Sequence, residues 1–121
     1  MLFVGQITFA KNIEVLLSEA RQFALNKDYN AAIKSYNAAI KSASDIESKQ
    51  IYFEIANCYY NNNDTKMAII TLKKSIKKYG LTEEDIIYSK VLDAKLSDIT
   101  IAELYNDFSR LRNRYVTYHS N

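Results

Sequence analysis

One spacing pattern occurs twice along this chain. Leu16, Ala20, Phe23, Ala32, Tyr36, Ala39 and Ile40 are matched by Tyr52, Ala56, Tyr59, Ala68, Leu72, Ser75 and Ile76, each 36 positions further on (16 to 52, 40 to 76). A repeat of that length marks a supersecondary unit that stacks on its copies. Within each copy the apolar positions fall three and four apart, which is the period of one helix face. Each copy therefore predicts two helices packed as a hairpin. A single hairpin cannot bury its own apolar face, so the two units must stack.

Composition supports this reading. The chain has 121 residues, the size of one domain, with only Gly5 and Gly80 as glycines and no proline. Turn-rich β architectures use both residue types heavily, so their scarcity favours helices joined by short polar loops. The spacing predicts an all-α chain of about six helices, over 12–26, 29–42, 45–61, 65–79, 83–96 and about 99–118. Asp28 and Asp64 stand where each would cap the second helix of its unit. Ser44 and Glu47 have the spacing of a capping box, as do Thr100 and Glu103. Gly80 fits the left-handed position after a helix, followed by apolar Leu81. The acids Glu83, Glu84 and Asp85 sit at an expected positive helix end.

The net charge of +2 is too small to imply a polyanionic partner. It is unevenly spread: residues 61–80 carry five bases and one acid, and residues 81–109 carry seven acids and two bases. Neighbouring blocks of opposite sign are expected to compensate across packed helices. The lone cysteine, Cys58, excludes an internal disulfide framework. No stretch approaches the length of a membrane-spanning helix. Residues 1–10, MLFVGQITFA, have two readings: the remnant of a secretory signal ending near Thr8-Phe9-Ala10, or the start of the first helix. The compartment stays open between cytoplasm and, on the signal reading, the periplasm or exterior.

The pattern resembles the tetratricopeptide repeat. Residues 49–82 carry the resemblance through Tyr52, Ile55, Ala56, Tyr59, Ala68, Leu72, Ser75 and Ile76. Residues 13–46 carry it mainly in their second half, through Asp28, Tyr29, Ala32, Ile33, Tyr36, Ala39 and Ile40. Glu19 departs from the usual aliphatic, and the proline that normally closes a repeat is missing from both copies. The resemblance implies a short right-handed superhelix of antiparallel hairpins in a single domain. Its parts would be residues 1–11 as signal remnant or helix start, repeats at 12–46 and 47–81, and a divergent capping hairpin at 82–118. Residues 83–118 do not follow the alanine–aromatic spacing.

The resemblance also implies a concave groove lined by the first helix of each hairpin. The positions facing it would be Leu17, Arg21, Ala24, Gln50, Phe53, Asn57, Tyr60 and Asn61. Some relatives grip a C-terminal carboxylate with a Lys and Asn set. Asn57 occupies one such position, but Leu17 stands where the lysine would be. Asn57 could equally bond a neighbouring helix. Phe53 and Tyr60 would anchor an apolar segment if they face solvent, and would be core if the fifth helix covers them.

Little in the chain suggests an enzyme. His119 is the sole histidine and lies near the C-terminus, and no metal spacing, phosphate loop or nucleophile motif occurs. No catalytic residue, metal or cofactor is expected, and Cys58 reads as a small packed hydrophobe. The leading expectation is an adaptor or scaffold that holds a protein or peptide in the groove. A second is a self-associating subunit, a homo-oligomer that uses Tyr105, Phe108, Leu111 and Tyr115 as an interface. Nucleic-acid binding through Lys73, Lys74, Lys77, Lys78, Arg110, Arg112 and Arg114 is a minor expectation, because the arginines at alternate positions spread around a helix. The alanines make the packing logic testable. Ala32→Leu or Ala68→Leu should each cost about 1–3 kcal/mol in a urea melt by overpacking the contact between paired helices. A loss below about 0.5 kcal/mol at both would show that no close contact exists.

Overall fold

A computed structural model describes residues 12–111 and 113. The readings placed on residues 1–11, and those on Arg112, Arg114, Tyr115 and His119, lie outside the described residues. The order is α1 (Ile13–Leu25), α2 (Tyr29–Ile40), α3 (Asp45–Asn61), α4 (Thr65–Tyr79), α5 (Glu83–Ile87) and α6 (Ala94–Leu104). Residues 108–111 are again helical, and no strand occurs among the described residues. The all-helical repeat architecture expected from the spacing is present.

α1 packs on α2 and α3 on α4, and α2 packs on α3 to join the two hairpins. Ala20, Ala32, Ala56 and Ala68 have no exposed surface. A methyl side chain lets two helix backbones come close, so these positions set the spacing within each hairpin. The core divides into two clusters. One gathers α1, α2 and the Ile51, Ile55 and Cys58 side of α3, and the other gathers Phe53, Ala56, α4 and the chain beyond it. Tyr59 packs against both.

The two hairpin turns are built alike. After α1, the Asp28 N–H donates to Phe23 O at 2.8 Å and the Lys27 N–H to Ala24 O at 3.0 Å. After α3, the Asp64 N–H donates to Tyr59 O at 2.8 Å and the Asn63 N–H to Tyr60 O at 3.0 Å. This pair of bonds is the Schellman arrangement, which needs a left-handed residue just past the helix. Lys27 (φ 64°) and Asn63 (φ 62°) take that conformation. Asp64 caps α4 as expected, accepting from the Met67 N–H. Asp28 does not cap α2 with its side chain. Its backbone is bonded just as that of Asp64 is, with the carbonyl accepting from the Ala32 N–H at 3.0 Å, so the two units differ here only in the side chain. The Ser44–Glu47 capping box forms, and Gly80 ends α4 at φ 65° with Leu81 buried behind it.

Beyond Gly80 the expected helices are redrawn. An unbroken helix over 83–96 is replaced by five-residue α5, an irregular segment at 88–93, and α6. Thr82 and Asp85 form the box that starts α5, and Asp93 caps α6 through the Lys95 and Leu96 N–H groups. Thr100 is not a cap. It is buried inside α6, and its hydroxyl donates to Leu96 O at 2.7 Å. The single long helix expected over 99–118 is interrupted at residues 105–107. The 36-residue frame supplies a reason. Leu92 and Leu104 occupy the positions that Ala20 and Ala32, or Ala56 and Ala68, hold in the first two units, and both leucines are buried. Side chains of that size keep helix backbones apart, so a third close-packed hairpin does not form. Leu92, Leu96, Leu104, Phe108 and Leu111 instead join the cluster on α3 and α4.

Lysine in the left-handed region carries a backbone penalty of roughly 1 kcal/mol that glycine avoids. Lys27→Gly should therefore raise stability by about 0.5–1 kcal/mol, and Asn63→Gly by less, since asparagine tolerates this region. Urea denaturation of the two variants measures both, and a loss at Lys27 would contradict the assigned turn.

Candidate partner-binding face

Gln50, Glu54, Asn57 and Asn61 follow one another at spacings of four, three and four along α3, so they share one face of the helix. Gln50 and Asn61 are exposed, while Glu54 and Asn57 are partly buried. A cleft opens on each side of this stripe. One, of about 390 Å³, lies toward α1 and α2 and is lined by Arg21, Ala24, Leu25, Tyr29, Tyr36, Glu54, Asn57, Cys58 and Asn61. The other, of about 450 Å³, lies toward α5 and is lined by Lys49, Gln50, Phe53, Leu81, Glu84, Asp85 and residues 88–91.

The first cleft is organised around Glu54. Arg21 donates Nε to Glu54 Oε1 and Nη2 to Oε2, both at 2.8 Å, a two-point pairing that fits the guanidinium fork. The Tyr36 hydroxyl donates to the same Oε1 at 2.9 Å. Glu54 thus ties α1, α2 and α3 together. Its hydrogen bond holds the Arg21 guanidinium even more firmly protonated than usual. Burial, and then the Glu54 charge, push the Tyr36 phenol upward. Arg21 remains 54% exposed, so water screens the pair and its worth lies near that of surface pairs, about 1 kcal/mol or less.

Asn57 makes the corresponding reach to the other side. Its Nδ2 donates to Val91 O and its Oδ1 accepts from the Asp93 N–H, both at 2.8 Å. Arg21 and Asn57 are 36 positions apart, equivalent places in the two units. Each ties its own first helix to the unit that follows.

Of the eight groove positions read from sequence, Arg21, Ala24, Asn57 and Asn61 meet in the first cleft, and Gln50 and Phe53 line the second. Leu17 packs against the α1–α2 cluster and lines neither cleft. Phe53 is not a free anchor. It is 4% exposed, in a cluster with Leu81, Ile86 and Leu92, so the covered alternative holds. Tyr60 is partly buried against the same cluster. Asn57 is engaged by the 88–93 segment, the second of the roles considered for it. Of the interface set, Tyr105 is exposed, but Phe108 and Leu111 are buried in the chain's own core, because the break at 105–107 folds them onto it. Arg110 pairs with Asp107, and the Lys78 ammonium lies 5.6 Å from the centroid of the Tyr79 ring.

Leu25, Tyr29, Tyr36, Glu54 and Cys58 also line the first cleft and stand outside the groove positions that the resemblance implies. Glu54 was detectable, because it falls between Gln50 and Asn57 on one helical stripe. Tyr36 gave no signal beyond its core position. Among the described residues no cluster could hold a metal ion, and no helix is long and apolar enough to cross a membrane.

The tetratricopeptide repeat family model matches residues 49–77, from within α3 to within α4. That match supports the resemblance read from the spacing, over the unit where the spacing is most regular. A repeat of this kind suggests, in general, an adaptor role in protein–protein interaction, and the family is generally non-enzymatic. No curated protein and no solved structure matches the chain.

Cys58 provides a test of the cleft's interior. Burial, and then the nearby Glu54 charge, push its thiol up from 9.0 to about 11. The folded chain then holds this proton more tightly than the unfolded chain does. The resulting stability is complete below about pH 9 and is lost as the pH climbs toward 11. Between pH 8 and 11 the parent chain should lose about 1–2 kcal/mol more than Cys58→Ala in denaturant titrations. Parallel pH curves would mean that the thiol is not held in this environment.

Proposed function

We propose that the chain is a protein-interaction adaptor that receives a polypeptide segment along the α3 stripe, with the α1–α3 cleft as its principal seat. One observation carries this reading: the cleft joins an exposed apolar rim to fixed polar groups. Leu25, at the rim, is 77% exposed, although it ends a helix whose other large side chains mostly pack inward. Asn61 and the outer edge of Arg21 lie beside it. Large apolar side chains contribute most where water is excluded around them, and neighbouring amides and guanidinium groups fix register. Arg21 is already paired with Glu54, so the seat offers a partner little net charge. Selection would rest on shape and apolar contact.

The test is capture from a lysate of the source cell on the immobilised chain, followed by mass spectrometry. Leu25→Asp combined with Asn61→Ala alters only exposed residues, so helicity should be unchanged. The proteins held by the parent chain should fall at least tenfold on the variant. An unchanged set of captured proteins would move the docking surface elsewhere.

A further inference from the structure

Residues 88–93 hold neither of the two strongest helix breakers. The segment reads Tyr-Ser-Lys-Val-Leu-Asp, without glycine or proline, and the periodicity predicts one helix across it. Even so, α5 ends at Ile87 and α6 begins at Ala94. Two local side chains favour the break. Ser89 Oγ accepts from the Val91 and Leu92 N–H groups at 3.1 and 3.0 Å, and Asp93 caps α6. The Asn57 side chain bonds the segment from a different element, at both Val91 O and the Asp93 N–H. In a continuous helix those two backbone groups would bond to residues four positions away. Asn57 therefore competes with the helix for the same atoms.

The segment also forms a wall. Tyr88, Ser89, Lys90 and Val91 face the cleft of about 450 Å³ whose other lining includes Phe53 and Leu81. Asn57 lines the α1–α3 cleft and bonds Val91 in this wall, so one side chain connects the two clefts. The segment takes one donor and one acceptor of this amide, which keeps a second N–H and a second lone pair.

We propose that residues 88–93 form a two-state strap latched by Asn57. Latched, the strap is irregular and walls the Phe53 cleft. Released, it joins α5 as helix and opens that cleft. The strap would thus regulate access to the α3 face, and this consequence rests on the docking reading above. The conformational change itself needs no partner.

Two variants test it separately. Asn57→Leu removes the latch, and Ser89→Ala with Val91→Ala keeps the latch but favours the helix. Far-UV circular dichroism and hydrogen exchange resolved by residue are the measurements. Both variants should gain ellipticity at 222 nm worth roughly six residues of helix, with the amides of residues 91–93 becoming slower to exchange as they enter the helical ladder. If the strap amides instead exchange faster with no helix gained, or neither measurement changes, the two-state strap is wrong. Should Asn57→Leu fail to fold, the Ser89→Ala, Val91→Ala chain decides by the same measurements. An unchanged lysate capture with Leu25→Asp and Asn61→Ala would remove the docking reading and leave these results standing. Absence of the helical gain would remove the strap and leave the docking reading intact.

Discussion

How closely two helices can approach governs this molecule. Four alanines, Ala20, Ala32, Ala56 and Ala68, are completely buried where the hairpins close. Their small size lets the larger neighbours Tyr36, Leu72, Ile55 and Ile76 complete the core around them. The identical Schellman turns then need only to reverse the chain. Where leucine replaces alanine, at Leu92 and Leu104, the regular hairpin gives way to a short helix, a strap and a second helix.

The forward reach of equivalent residues has the same origin. Stacked units bring position 21 of the first and position 57 of the second to the same edge of the following unit. Arg21 meets a carboxylate on a helix there and pairs with it. Asn57 meets an interrupted backbone and bonds its free carbonyl and amide. A charged fork and an uncharged amide thus serve one architectural purpose, each matched to the groups in front of it.

The candidate site was legible only in part for this reason. The resemblance implied a common side for Arg21, Ala24, Asn57 and Asn61, and the structure gathers them in one cleft. Spacing along one helix cannot say what another element lays over that face. Phe53 shares a face with groove positions but is covered by the chain beyond Gly80. Phe108 and Leu111 read as a free stripe because an unbroken helix was expected, and the interruption at 105–107 turns them into core. The partners of Glu54 come from two other helices, which spacing along α3 does not reveal.

The sequence by itself determined the four helices of the two repeats, the boundaries of α3 and α4, the Ser44–Glu47 box and the Gly80 stop. These depend on periodicity and on local bonds within a few residues. Tertiary structure decided the role of Asn57, the Glu54 junction and the break after Ile87. The atoms involved lie far apart along the chain, and the balance between a helix and a strap depends on what stands beside it. The apolar spacing predicts helix through residues 88–93. The side chain of Asn57, more than thirty positions earlier, bonds the two backbone groups that the helix would need.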